Sequence, residues 1–346
     1  MTTHPLDRNR PSHRRVGISL PVQDELPADL NLQLAIQAEE HGFDVVAFGE
    51  IGGPEAFAQL GAIASRTERI TLMTGVISSF TRSPALTAMG FATLEAIAPG
   101  RTILGVGAAT PVIVEGWHDG SFARPIRRNR EFTEAFRRIL HGGFATYEGE
   151  TLAVRRYRLM PDASFDVPVH IGAMNPTMLR QSGEFADGVY MAFCALDEVP
   201  HRAGLVLDGA RDAGRDPDEL TIGLMVNAYA GSRPEAAMER YRDFFLFYAT
   251  LPTHRHNFEH AVDELDVAGD RVAAGRRRSA RPLVTDEAIH RISVVGSGED
   301  VAERVRAYWD AGVDLVTLHL IGTGRGETES AFESLAAVGE ALTSIR

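Results

Sequence analysis

Short apolar runs alternate with stretches of helical period along most of this chain. Val16–Leu20, Val45–Phe48, Thr71–Val76, Thr102–Val106, Val169–Ile171, Gly188–Met191, Thr221–Val226 and Leu315–Leu320 are brief, mostly apolar and bounded by turn residues. That is the signature of strands buried on both faces. Amphipathic helices follow them. Leu30, Leu34, Ala35 and Ala38 form one apolar stripe behind an expected cap at Asp29, with Gly42 as the stop. Further helices are expected over Glu55–Arg66, from Pro84, over Asn129–Leu140, Thr177–Glu184, Val199–Ala213, Pro234–Tyr248 and Glu329–Thr343. Eight strands each trailed by a helix predict an α/β fold, a (β/α)8 TIM barrel. An open doubly wound sheet is the competitor. The helix signals at Ser297, Asp300 and Gly312, which lead back to a last strand, favour closure.

Two segments fall outside the repeat. Ala145–Leu159 alternates with period two around Glu148-Gly149 and predicts an inserted hairpin after the fourth strand. His254–Ile292 is helical and polar, and predicts an insertion between strands seven and eight. Met1–Arg15 is polar, without an apolar core segment, and is expected to be a disordered tail preceding one domain over 16–346.

Composition narrows the partners. The chain has 346 residues, with 35 Lys and Arg against 47 Asp and Glu, a net charge of −12. Such a balance argues against neutralising nucleic-acid phosphates. Arg276-Arg277-Arg278 is too short to change that and reads as a solvated helix end. The single cysteine, Cys194, rules out an internal disulfide framework and suits a reducing cytoplasm. No apolar run reaches the roughly 20 residues of a membrane span.

Candidate chemistry gathers after the strands, at the edge where barrels hold their ligands. Glu50 follows strand two and is either a general acid or base or the cap of the next helix. Gly75-Val76 ends strand three, where glycine allows unusual backbone or close ligand approach. Ser78, Ser79, Thr81 and Arg82 follow; Arg82 is a surface charge or an anion partner. Gly105–Thr110 carries two of the three glycines of the dinucleotide fingerprint, but Thr110 replaces the third and Pro111 blocks a prompt helix. A flat strand end beneath a planar ring fits the stretch better. Trp117 packs or lines a pocket, and His118 is the best-placed histidine for proton transfer. Gly172, Ala173, Met174 and Asn175 open a helix, either as a phosphate site or as an ordinary turn. Gly322–Gly326, after strand eight, is a phosphate loop or a flexible one. His256-Asn257-Phe258-Glu259-His260 matches the inverted zinc-peptidase pattern, with Glu264 nearby, but sits in the insertion away from the strand ends. A polar helix of the insertion is its bland reading.

Taken in order, GFDVVAFGE (42–50), TGV-x5-R-x-PA (74–85), ATLEAIAPGRTILGVG (92–107), IGAMNPTMLRQSGEFADG (171–188) and GSGEDVAERVRAYWDAGVD (296–314) resemble the luciferase-like monooxygenase superfamily. Within it they are similar to the branch using the deazaflavin coenzyme F420, which includes methylenetetrahydromethanopterin reductases and glucose-6-phosphate dehydrogenases. The resemblance implies a dimeric barrel with a nonprolyl cis peptide at Gly75–Val76, on a bulge that backs the deazaflavin ring. It implies Gly107 and Ala108 flanking that ring with Thr110 nearby, and Gly172, Ala173, Met174 and Asn175 at the phosphate end. Many relatives carry Asp-His after strand two, and here the pair is Glu50-Ile51. Ile51 moves no proton, so that role passes to Glu50, His118, the substrate or solvent, and glucose-6-phosphate oxidation becomes doubtful.

The expectation is an F420-dependent oxidoreductase that moves a hydride between the deazaflavin C5 and an organic small molecule, with residues 254–292 setting substrate choice. The alternative is an oxygen-using monooxygenase dependent on flavin mononucleotide (FMN). A zinc hydrolase on His256 and His260, or a barrel that only binds a ligand, stands further off.

Overall fold

The computed structural model describes residues 14–21, 27–160, 164–250, 263–320, 322–324 and 328–345, except for the side chains of 263–266. Its centre is a ring of parallel strands: β1 (Arg15–Ser19), β2 (Val45–Phe48), β3 (Thr71–Thr74), β4 (Thr102–Gly107), β5 (Val169–Gly172), β6 (Gly188–Ala192), β7 (Thr221–Ala230) and β8 (Leu315–Leu320). Each pairs with the next, and β8 pairs with both β7 and β1, which closes the barrel and leaves no edge. The expected (β/α)8 fold is therefore the observed one. β1 starts at Arg15, inside the range expected as a tail, because the Arg15 amide donates to the Asp314 carbonyl and the Val16 amide to the Asp44 carboxylate.

The helices form where the sequence puts apolar residues three and four apart. Phe132, Ala135, Phe136, Ile139 and Leu140 are the buried face of helix Pro125–Leu140, which begins one turn earlier than expected. The first helix, Ala28–Glu40, has Pro27 rather than Asp29 at its cap, and Asp29 stands in its first turn. Gly42, with φ 80°, ends it as expected. The hairpin is present as strands Ala145–Glu148 and Ala153–Tyr157.

One helix differs in its place. Pro234–Tyr248 spans its expected residues but is not the barrel helix after β7. Its inner side chains Ala237, Tyr241, Phe245 and Leu246 share a second hydrophobic core with Ala268, Ala280, Val284, Ile289 and Ile292, joined by Phe193 from the end of β6. The helix that returns along the barrel to β8 is Gly298–Asp310, opened by a capping box of Ser297 and Asp300. The reason is the length of β7. Its last residues, Asn227–Ala230, pair with an added strand, Ser293–Gly296, while Asn227 and Ala228 still pair with His319 and Leu320 of β8, so the described helices between 231 and 292 stand above the barrel. Among the described residues no helix is long and apolar enough to cross a membrane.

Candidate active site

The mouth of the barrel is shaped by a register change. Leu72 and Met73 pair with Thr102 and Ile103, but the next pairs are Ile77 with Val106 and Ser78 with Gly107. The β3 side thus has one residue more than the β4 side, a bulge at residues 74–76. Thr74 repairs the gap: its hydroxyl accepts the Gly105 amide at 2.8 Å and donates to the Gly105 carbonyl at 2.8 Å. Gly105 tolerates nothing larger, since a Cβ there would stand 1.9 Å from the Thr74 carbonyl oxygen. The peptide Gly75–Val76 within the bulge is cis, where the resemblance placed it. The bulge is tied to β2 by the Gly75 amide on Phe48 O (2.8 Å) and the Glu50 amide on Val76 O (3.2 Å).

The bulge brings three expected residues together. A Cβ on Gly107 would stand 3.1 Å from a Val76 methyl, and one on Gly172 would stand 3.3 Å from the other. Val76 therefore lies over a strip of bare backbone spanning the ends of β4 and β5. Ala108 and Thr110 are buried beside it, and Ala108 O accepts from the Ser78 hydroxyl at 3.4 Å. Gly75 itself faces inward: a Cβ there would meet Ala47 at 2.8 Å, within the barrel rather than on the strip.

Glu50 is at the rim. Its carboxylate accepts Arg82 Nε at 2.8 Å and Arg82 Nη2 at 2.7 Å, and the Ala56 amide at 3.3 Å. Arg82 also pairs with Glu55 and lies over the Phe57 ring. Burial alone would raise the Glu50 pKa, but the Arg82 bonds and charge outweigh it and hold the carboxylate below its ordinary value. Glu50 is thus an anion at neutral pH. That disfavours the acid role and weakens it as a base, while the bond to Ala56 serves the cap reading. Arg82 meets an anion as one alternative had it, but the anion is the chain's own. His118 is exposed and follows the turn Val112–Trp117, close enough for its charge to act on Glu50. Trp117 is 57% exposed and lies against Gly52.

The expected phosphate segment is partly committed elsewhere. Ala173 is buried and its amide donates to Tyr190 O at 3.3 Å, Met174 packs against the second core, and Asn175 caps helix Pro176–Phe185 by accepting the Met178 amide at 2.8 Å. Asn175 and Thr177 remain exposed at that helix start. Residues 256–260 of the zinc-like pattern lie outside the described residues, as does the Glu264 side chain. So do 325–327 of the last glycine loop, where the Thr323 amide donates to Ser330.

Sequence reading missed the polar residues inside the barrel. Tyr190 is fully buried, with its hydroxyl 2.5 Å from Thr317 Oγ1 and its pKa pushed up to about 12 by burial. One layer nearer the mouth, Ser19, His319 and Asn227 stand side by side on β1, β8 and β7. Polar residues at alternate positions of the strands LVTLHL and TIGLMVNAYA were the available signal.

The sequence profile of the luciferase-like monooxygenase family matches residues 11–315. The F420-dependent glucose-6-phosphate dehydrogenase of Rhodococcus erythropolis is 29% identical over 324 residues, covering 89% of this chain and 92% of the relative. The 5,10-methylenetetrahydromethanopterin reductase of Methanolobus tindarius is 27% identical over 296 residues, covering 83% and 90%. The solved coenzyme F420-dependent tetrahydromethanopterin reductase of Methanopyrus kandleri superposes with a TM-score of 0.81 at 24% identity, over 96% of this chain and 99% of that one.

Proposed function

The chain belongs to the luciferase-like monooxygenase family, and from that premise we propose that it is a coenzyme F420-dependent oxidoreductase acting on a small organic molecule. The observation that carries this reading is the strip under Val76. Gly107 and Gly172, lacking side chains, let Val76 lie close across the ends of β4 and β5, and the Val76 side chain on its bulge is the wall against which a tricyclic ring would stack. Curated relatives matching most of the chain are named for F420. When bound, the deazaflavin supplies a carbon that accepts or gives a hydride.

The residues of the chain do the rest. Val76, Gly107 and Ala108 hold the ring, with Thr110 shaping the adjacent turn. Gly172, Ala173, Met174 and Asn175 lead the side chain towards the helix start, where Asn175 and Thr177 are the exposed polar groups. Glu50 holds Arg82 and, through its backbone, the bulge. The helices Pro234–Tyr248, Asp263–Ala273 and Asp286–Ile292 exclude water and select the substrate. A single cysteine, Cys194, suits a reducing cytoplasm. Helix Pro84–Ile97 exposes Leu86, Met89 and Ile97, and we place a homodimer contact on that face.

Equilibrium titration with coenzyme F420 and, separately, FMN tests the reading by fluorescence. Micromolar or tighter binding of F420 in preference to FMN is expected. Preference for FMN together with oxygen uptake would instead make this a flavin monooxygenase. Binding of neither would refute both.

A further inference from the structure

The bulge at residues 74–76 is tied to β2 on one side, and its other side is held from beyond the ring of strands. Ile77 and Ser78 leave the bulge against Val106 and Gly107, and the Ser79 amide closes that edge on Gly107 O at 2.9 Å. Ser79 is fully buried, and its other polar groups run to helix Pro125–Leu140. Its hydroxyl donates to Asn129 Oδ1 at 2.7 Å. Its carbonyl accepts Arg128 Nε at 2.9 Å.

Arg128 holds a second carbonyl. Its Nη1 donates to Thr151 O at 2.6 Å, in the turn of the inserted hairpin. A guanidinium is a rigid planar fork, so the two bonds fix Ser79 in distance and angle against residue 151. The fork is sheltered: Arg128 Cζ lies 5.5 Å from the centroid of Phe80, whose ring stacks on Phe122 at 5.1 Å. Thr151 is fixed in its turn. Glu131, 3% exposed, accepts the Glu150 amide at 2.9 Å, the Thr151 amide at 2.8 Å and the Thr151 hydroxyl at 2.6 Å. Among the described residues the hairpin is a two-stranded sheet of its own. Two strands alone are marginal in water, so the bonds to Glu131 are what make the turn a firm anchor.

We propose that Arg128 is a positioning residue for the ring wall, carrying the rigidity that Glu131 gives the hairpin turn through Ser79 to the bulge on which Val76 stands. The inserted hairpin is then part of the cofactor site although it is no part of the barrel. Helix Pro125–Leu140 supplies both ends of the path within one turn: Glu131 grips the hairpin, and Arg128 bridges the hairpin to the strand that leaves the bulge. A lysine in place of Arg128 keeps the charge but has one nitrogen, which cannot hold two carbonyls at a set separation. The proposal rests on the F420 reading for the identity of the ring, while the path from Glu131 to Ser79 belongs to the protein alone.

The first test needs no cofactor and uses the full-length protein. In Arg128→Met (or Arg128→Lys, should the first not fold) hydrogen exchange of the Ser79 amide should quicken at least about 10-fold, while the Ile222 amide, bonded to Asp314 across the ring, stays within about twofold. Glu131→Gln, whose new N–H2 group faces the Thr151 amide, should quicken Ser79 at least about threefold although the bonds of Glu131 run to the hairpin. The second test is F420 affinity by fluorescence. The dissociation constant should rise at least about 10-fold in the Arg128 variant and about threefold in Glu131→Gln, and the double variant should exceed the Arg128 variant by no more than about twofold, because both changes act on one path. Ser79 exchange unchanged in the Arg128 variant overturns the proposal, and so does equal quickening at Ile222, which would make Arg128 a matter of overall stability. F420 affinity within about twofold of wild type in that variant, or effects that multiply in the double variant, overturns it as well. Failure of the wild type to bind F420 overturns the cofactor reading, and the exchange rates then decide the path by themselves.

Discussion

Replacing His170 by glutamine should make the barrel less sensitive to mild acid. His170 is on β5 inside the barrel, 2% exposed, with Nδ1 unpartnered among the described residues. Burial, with the nearby positive charge of Arg15, pushes its pKa from 6.5 down to about 4, against a smaller opposing effect of Asp187. The native barrel therefore refuses a proton that the unfolded chain takes up below pH 6.5. The sign follows: stability is lost as pH falls from 6.5 towards 4, at about 1.4 kcal/mol per pH unit from this group. Between pH 7 and pH 5 the loss is about 2 kcal/mol. Urea unfolding at both pH values, followed by fluorescence and circular dichroism to check that the transitions coincide, measures it. Glutamine keeps a similar volume without the titration, so the variant should lose about 2 kcal/mol less than wild type over that interval. Carboxylates held low by their neighbours, such as Glu39, Glu131 and Asp300, act at lower pH and are common to both proteins. Equal losses in the two proteins, to within about 0.5 kcal/mol, would refute the argument that a neutral, proton-refusing imidazole fills the barrel.

Three further outcomes follow from the geometry. A double-mutant cycle of Glu50→Gln and Arg82→Met at pH 7 should give a coupling of about 1–2 kcal/mol, since the pair is doubly hydrogen-bonded and mostly buried; a value near zero would remove the pair from the support of the mouth. That stabilisation is present above the ordinary carboxylate range and fades as pH falls through the lower native value of Glu50. Gly105→Ala should destabilise the fold by more than about 3 kcal/mol, because its methyl meets backbone rather than a movable side chain; a thermal midpoint close to wild type would show that the bulge is not fixed as described. Met89→Arg on the exposed face of helix Pro84–Ile97 should turn the proposed homodimer into monomer in light scattering, while a wild-type protein already monomeric would sink the proposal.

The sequence by itself determined the strands, most helices and the closed barrel, because both period and composition are local signals. Each strand of the ring is a short apolar run closed by turn residues, and each helix carries its own stripe. Family motifs located the cis peptide and the strip of Gly107 and Gly172 for a related reason: a bare backbone position leaves glycine in the sequence. What Glu50 does was not legible, because its partner Arg82 lies on another loop and only folding brings a guanidinium to its carboxylate. The helix Pro234–Tyr248 was found but misplaced, since an amphipathic stripe says that a face is buried and not what buries it. The row of Ser19, Asn227 and His319 was missed altogether. Those residues are far apart in the chain and become neighbours only when β8 closes between β7 and β1, and that closure is a property of the whole ring.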